Sequence, residues 1–350
     1  MKITVVNRHR SDIMGGSEVQ CDFIASELVQ RGHDVTYVAV KGKKKYYDVS
    51  YKVLPCKSEG SEILESIVKS RPDLVYWRYH KNFIYDIFKK LDELKIKIIF
   101  SVSSEYDTHR FLYNKKQSLY INFRKWLRNI NQFRGIRYVD AVVVNNESHL
   151  NRLPVKRQQF IPNGMTDEYV SFKWKKPYCI WIANIKSIKR PELYIDLANQ
   201  IKDVDFLMVG AIQEQKYNWV EDDENLPDNL HYLGPKSLTE VNGMIRESLF
   251  HIHTCMAEGF PNVFIQAWIF GKASVSYGFD PSGYIEKENL GMCSNENSEQ
   301  FYNDVKEMIQ NEELRDKKGA NAQLFANKMF RIETSVGYLV ELADELLKTY

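Results

Sequence analysis

The sequence predicts an α/β protein of two doubly wound domains, each a parallel sheet with helices on both faces. Three observations carry this. Short β-rich apolar runs alternate with helix-period segments along most of the chain, a pattern that packs as a parallel sheet covered on both sides. At 350 residues the chain exceeds what one hydrophobic core normally supports. The periodicity lapses midway, between Ile161-Pro162-Asn163-Gly164 and Lys175-Lys176-Pro177, where turn formers and charges place a seam.

In chain order, residues 2–7 read as a strand, 8–15 as a polar loop, 16–31 as a helix stopped by Gly32, and 34–40 as a second strand, which together make a βαβ unit. Further strands are expected at 74–77, 96–102 and 141–144, with a helical pattern at 82–94. Beyond the seam the scheme repeats: strands at 178–182, 204–209, 230–233, 250–253 and 273–276, helices at 191–201, 238–247 and 263–270. After Asn311 the pattern is helical to the end, and 331–350 form an amphipathic final helix. The expected domains are 1–165 and 166–330, with the final helix packing back on the N-terminal domain.

Composition narrows the class. A hydrophobic share of 44% with 27% charged residues fits a globular protein, and no apolar run is long enough to span a bilayer. The N-terminus passes from MKITVV into the polar NRHRSD, with no signal-peptide pattern. Five scattered cysteines without a CxxC pair suggest neither a disulfide framework nor a zinc site. A cytoplasmic protein is expected. Charge is unevenly spread: residues 1–165 carry 29 Lys+Arg against 17 Asp+Glu, the remainder 19 against 29. The two halves are therefore expected to meet different partners.

Ligands of open α/β sheets sit beyond the carboxyl ends of the strands, so residues just after each strand are the candidates, with the site expected in a cleft between the domains. After the first strand, Gly15-Gly16-Ser17-Glu18 opens a helix; glycines admit a ligand to the backbone and free N–H groups attract phosphate, although the same residues also read as an ordinary helix start. After residue 182 a loop carries Lys186, Lys189 and Arg190 up to Pro191. Cations beside a helix N-terminus oppose its dipole by roughly 0.3–1 kcal/mol unless an anion offsets both; a solvated basic loop is the alternative.

After the strand at 250–253, AEGFPNVFIQAWIFGK places Glu258 before a helix. Gly259 permits close approach, Pro261 presets helix entry, and the N–H groups near Asn262 and Val263 are available to an anion. Glu258 can accept from ligand hydroxyls. Gln266, eight residues on, is expected on the cleft side, with Phe264, Ile265, Trp268 and Ile269 left for packing.

EGFPNVFIQAWIFGK resembles the E-x7-E segment of the retaining glycosyltransferases of family 4, the group 1 glycosyltransferases, whose fold is the two-domain glycosyltransferase B fold. The resemblance extends to GGSEVQCDFIASELVQRGHDVTYVAV, to IPNGM, to WIANIKSIKRPELYIDLA and to HYLGPKSLTEVNGMI, in the family's order. It implies a nucleotide-sugar donor and no metal. Gly15 and Gly16 would approach the donor's diphosphate and sugar, Lys189 would neutralise the diphosphate, and Glu258 would hold sugar hydroxyls. Backbone N–H groups of Gly259, Phe260, Pro261's successor Asn262 and Val263 would surround sugar and phosphate, and the turn at Gly234 would lie near the base. Two positions depart from the family. Gln266 stands where the second glutamate is usual, and Asn184 where an arginine is usual, five residues before Lys189. Glutamine still accepts a ribose hydroxyl through its carbonyl oxygen, and Lys186 and Arg190 are close enough to replace the missing cation.

Asp203-Val204-Asp205, the only DxD, falls at a helix-to-strand junction and reads as structural. His251 and His253 share one strand face without an evident third ligand and read as buried sheet histidines. Glu105, Asp107 and His109 follow a strand; Glu105 and His109 are candidates to receive an acceptor hydroxyl. Residues 109–138 hold eight Lys/Arg and no acid, with Phe123, Trp126 and Leu127 interleaved among Lys115, Lys116, Arg124, Lys125 and Arg128. Such a basic amphipathic helix suits anionic lipid and a lipid-linked acceptor; no nucleic-acid motif accompanies it. The expectation is a retaining, metal-independent glycosyltransferase moving a hexose-type sugar from a nucleotide-sugar to a lipid-linked or cell-surface glycan, peripheral on the inner face of the cell membrane. The alternative is an inactive nucleotide-sugar binder of the same fold.

Overall fold

The computed structural model describes residues 1–13, 15–57, 60–79, 84–102, 107–108, 118–255 and 260–348, with no side-chain description at 125, 128 and 132. The chain divides into two compact units, Met1–Gly164 with Ile332–Tyr350, and Met165–Arg331.

In the first unit, β1 (Lys2–Asn7) leads through α1 (Gly16–Gln30) to β2 (Asp34–Val40) and β3 (Lys52–Cys56); α2 (Ser61–Ser70), β4 (Leu74–Trp77), α3 (Ile84–Glu93), β5 (Lys97–Val102), α4 (Leu119–Gly135), β6 (Ala141–Val144) and β7 (Gln158–Phe160) follow. All seven strands are parallel, in the order β3-β2-β1-β4-β5-β6-β7. Central strands such as Leu74–Trp77 and Ala141–Val144 are buried at every residue, which is why they read as unbroken apolar runs. Val6, Val38, Trp77, Ile87, Phe88 and Phe100 form the core under α2 and α3.

The second unit runs β8 (Tyr178–Ile182), α5 (Pro191–Gln200), β9 (Asp205–Val209), β10 (Leu230–Tyr232), α6 (Leu238–Glu247), β11 (His251–His253), α7 (Asn262–Ile269), β12 (Ser274–Ser276), α8 (Tyr284–Lys287), β13 (Gly291–Cys293), α9 (Ser298–Gln310) and α10 (Glu312–Met329). Its six parallel strands order as β10-β9-β8-β11-β12-β13, again reversing direction beside the first strand. Helix α6 starts with a full capping box, Ser237 and Glu240 each bonding the other's main chain.

The final helix, α11 (Ile332–Lys348), packs against α1 in the first unit. The expected helical run after residue 311 is broken. Phe330 leaves the α10 helix and is fully buried against Phe260 (5.3 Å), Phe325 (5.6 Å) and Trp268 (6.1 Å). Arg331 then pairs with Met165 in a parallel bridge. Aromatic burial at one residue outweighs the fraction of a kcal/mol that continuing a helix offers. Among the described residues no helix is long and apolar enough to cross a membrane.

Candidate active site

In the second unit the sheet order reverses between β8 and β11, the position where a doubly wound sheet opens a crevice at its carboxyl edge. The chain leaving β8 hugs β9: Ala183 N donates to Val209 O at 3.0 Å, Ile185 N to Ala211 O at 2.8 Å and Gln213 N to Ile185 O at 3.0 Å. Gly210 permits this approach. A Cβ there would lie 1.9 Å from Ala183 O, and its φ is +148°. The Glu214 carboxylate then accepts from Ser187 N at 3.2 Å and from the Ser187 hydroxyl, closing the turn that carries Lys189.

Lys189 is partly buried. The Thr254 hydroxyl, just past β11, donates to Lys189 O at 2.5 Å and accepts from Trp181 Nε1 at 2.9 Å. Burial pulls the Lys189 ammonium below the ordinary lysine value; the nearby Cys255 thiol opposes this and Lys186 adds to it. Arg190 takes a left-handed conformation (φ 50°), which turns the chain into Pro191 at the first position of α5. Its guanidinium lies 5.0 Å over Tyr277 and 3.7 Å from Glu296, with Nη1 buried and without a hydrogen bond.

Two helices begin here without a side-chain cap, α5 after Arg190 and α7 after Pro261. Helix α7 is buried along Val263, Phe264, Ile265, Gln266, Ala267, Trp268 and Ile269, so its N-terminal dipole acts in a low-dielectric setting. Asn262 and Val263 open it, and Phe260 sits in the aromatic cluster with Trp268, Tyr284 and Phe330. The edge therefore gathers Asn184, Lys186, Lys189 and Arg190 after β8 with Pro261, Asn262 and Val263 after β11. It offers cations and helix N-termini suited to an anion.

Gly234 follows β10 with φ +69°, its carbonyl accepting from Gly210 N at 3.1 Å. Gln266 is 6% exposed, and its Nε2 donates to Asn242 Oδ1 at 2.9 Å. Asn242 in turn donates to Glu168 O at 2.7 Å. The side chain thus faces α6 through its amide nitrogen, a contact the sequence did not reveal. Glu258 and Gly259 lie outside the described residues.

In the first unit Gly15 precedes α1 in extended conformation, again without a side-chain cap, and Gly16 opens the helix. The loop before them is held by a buried chain of polar groups. Ser11 N donates to His9 Nδ1 at 3.1 Å, His9 Nε2 meets the Tyr51 hydroxyl at 2.8 Å, that hydroxyl donates to Asp22, and Asp22 takes Arg10 Nε at 2.9 Å. Burial holds His9 below its ordinary pKa against the pull of Asp22. Glu105, His109, Lys115 and Lys116 lie outside the described residues, as do the side chains of Lys125 and Arg128.

Helix α4 is apolar on the outside. Leu119, Tyr120, Phe123 and Trp126 are 76, 67, 54 and 41% exposed, while Asn122 and Asn129 are buried. Phe123 stacks on Trp126 at 5.7 Å, and Arg124 lies 5.9 Å over Tyr120.

Asp205 of the DxD opens β9 at the opposite edge of the sheet, accepting from Trp174 Nε1 at 2.8 Å with Lys176 at 3.7 Å and His231 at 3.6 Å. His251 and His253 are buried against Phe264 at 5.1 and 4.6 Å, each with Nε2 unpaired. Among the described residues no group of three or more His, Cys, Asp or Glu could hold a metal ion. Thr254, Trp181, Cys255 and Asn242 escaped the sequence reading; only the position of Thr254 directly after a strand could have marked it.

Residues 168–325 match the family model described as glycosyl transferases group 1, and residues 14–168 the one described as glycosyltransferase family 4. No curated protein matches the sequence. Among solved structures, sucrose-phosphate synthase from Thermosynechococcus elongatus superposes with a TM-score of 0.79 at 15% identity, covering 100% of both chains. Anabaena Alr3699/HepE in complex with UDP and glucose gives 0.75 at 15%, over 99% of this chain and 100% of that one. WaaG, a glycosyltransferase involved in lipopolysaccharide biosynthesis, gives 0.71 at 14%, over 99% of each. Two parallel-sheet α/β units, an anion-suited edge in the second and family matches that together run from residue 14 to 325 lead to one assignment: the chain belongs to the group 1, family 4 glycosyltransferases and has the glycosyltransferase B fold.

Proposed function

We propose that this protein transfers a hexose-type sugar from a nucleotide-sugar to a lipid-linked or cell-surface glycan, with retention and without a metal, at the cytoplasmic face of an anionic membrane. One observation carries the reading: Lys189 and the N-termini of α5 and α7 stand at the β8/β11 reversal, where a departing nucleoside diphosphate needs positive charge. The Lys189 ammonium and the amide hydrogens supply it, while the acceptor hydroxyl attacks from the face the leaving group vacates. The complex of HepE with UDP and glucose makes UDP-hexoses the first donors to try. Glu258 as holder of sugar hydroxyls, and Glu105 and His109 as acceptor-side groups, rest on the sequence. The exposed apolar residues of α4, with Arg124 exposed among them, support the membrane and the lipid-linked acceptor.

The test is a thermal-shift panel of sugar nucleotides followed by a transfer and donor-hydrolysis assay on wild type and Lys189→Ala. Removing one preorganised charge should cost roughly 2.7–4 kcal/mol, a fall in kcat of about 100- to 1,000-fold, with the fold retained. Unchanged turnover in the variant sinks the site. Donor-induced stabilisation without transfer or hydrolysis would instead make the protein an inactive sugar-nucleotide binder.

A further inference from the structure

The first unit contains a small cavity at the carboxyl end of its sheet, beside the segments that leave β4 and β7. It lies between the sheet residues Tyr76, Arg78, Ser101 and Val143, the segment Ile161 to Gly164, and helices α1 and α11, and it has room for one occupant of water or halide size. Two of the residues that line it each hold a buried donor without a partner. Arg78 is 6% exposed with Nε buried and unpaired, and Ser335 on α11 is 4% exposed with its Oγ also unpaired.

Other polar groups around the cavity are already occupied. Arg78 Nη2 donates to Asn163 Oδ1 at 2.9 Å, and the Gln20 amide closes on Gly164 from both sides, Nε2 to O at 2.8 Å and Oε1 from N at 3.0 Å. None of the lining residues is a carboxylate. The Cys21 thiol, which feels the Arg78 charge, is pushed up to about 11 by burial and stays neutral. Glu18 is the carboxylate that interacts with Arg78, and it shares itself with Arg8, whose Nε is also buried and unpaired. A guanidinium out of water without a full countercharge is among the costlier arrangements a core can hold.

We propose that this cavity is a structural site for a small monovalent anion of the halide class, bound by Arg78 Nε and Ser335 Oγ. Water there would satisfy both donors but leave the charge uncompensated; an anion does both. The occupant ties the end of β4 to α11, stabilising the C-terminal helix on the sheet of the unit it joins.

Two measurements on the full chain test it. Crystals grown in bromide should show an anomalous peak within hydrogen-bonding distance of Arg78 Nε and Ser335 Oγ; density there without anomalous signal is water and overturns the proposal. In solution, at ionic strength held constant with gluconate, replacing gluconate by bromide should raise the unfolding midpoint of the wild type by a few degrees per tenfold concentration. Ser335→Ala should weaken that dependence, and Arg78→Met should abolish it. Should Arg78→Met fail to fold, Ser335→Ala and the anomalous map still decide. A midpoint that responds to bromide identically in wild type and Ser335→Ala reflects a general salt effect and overturns the site.

Discussion

The Thr254 hydroxyl donates to the main-chain oxygen of Lys189 at 2.5 Å while accepting the Trp181 indole hydrogen at 2.9 Å. Thr254 is fully buried, and Trp181 nearly so. One hydroxyl thus fixes the end of β11, the side of β8 and the turn that carries the lysine. Thr254→Val removes the relay at constant shape and leaves an indole hydrogen and a carbonyl unpaired. Stability should fall by about 1–3 kcal/mol. If Thr254 positions Lys189, kcat should also fall about tenfold, which is about 1.4 kcal/mol of barrier, with a smaller change in KM. Thr254→Ser should recover most of both. A destabilised Val variant with wild-type kcat would make the hydroxyl purely structural.

Gln266 occupies a position where the family usually has glutamate, and its packing gives a reason. Asn242 donates its Nδ2 to Glu168 O, which turns its Oδ1 toward Gln266 and calls for a donor there. A carboxylate would face that oxygen. Gln266→Glu should therefore lose about 1–3 kcal/mol of stability at pH 8, and less at pH 5, where the carboxyl can carry a proton and donate. Urea titrations at the two pH values read this directly. A Glu variant as stable as wild type at pH 8 would show that the amide contact does not constrain the position.

Two buried histidines should contribute to the acid limb of stability. Burial takes His251 down to about 3 and His253 well below its ordinary value. Because the folded state holds these rings neutral, the unfolded chain binds the extra protons. Their contribution is present above about pH 6.5, the unfolded value, and is lost as pH falls toward the folded value near 3. Unfolding free energy should decline by on the order of 1 kcal/mol per pH unit per histidine across that window. His251→Phe should flatten the slope; an equal slope in the variant would place the proton uptake elsewhere.

Helix α4 turns Phe123 and Trp126 outward and Asn122 and Asn129 inward. Flotation with vesicles containing anionic lipid should recover the wild type, and recovery should fall steeply in Phe123→Ser/Trp126→Ser and in Arg124→Glu/Lys125→Glu/Arg128→Glu. Each basic residue near the surface is worth about 1 kcal/mol, so the triple reversal should reduce partitioning by well over tenfold. Flotation that ignores both sets of changes removes the membrane from the proposal.

The central strands were legible because they are buried on both faces: Leu74–Trp77, Ala141–Val144 and Tyr178–Ile182 are runs that periodicity alone picks out. Of the four edge strands only Leu230–Tyr232 was expected; the other three were not. Lys52–Cys56 carries Pro55, Gln158–Phe160 is mostly polar, and Gly291–Cys293 has three residues, all at or near sheet edges where packing demands less of the side chains. Helix α9 was likewise missed, hidden in a polar stretch. At the site, Asn184, Lys186, Lys189 and Arg190 stood out as a polar, basic loop before a proline. Their neighbours did not.

By itself the sequence determined the alternation of strands and helices, a seam somewhere between residues 161 and 177, and the loops at strand ends that carry Lys189 and Asn262. These are local properties, written in periodicity and turn chemistry within a few residues. Only the tertiary structure decided that Thr254 holds Lys189, that Asn242 holds Gln266, that Phe330 breaks the last helical run, and that Arg78 and Ser335 line one cavity. Each of those pairs is separated by tens to hundreds of residues or depends on a distant cluster, and which polar group must find which partner is set by burial, a property of the folded chain rather than of any segment of it.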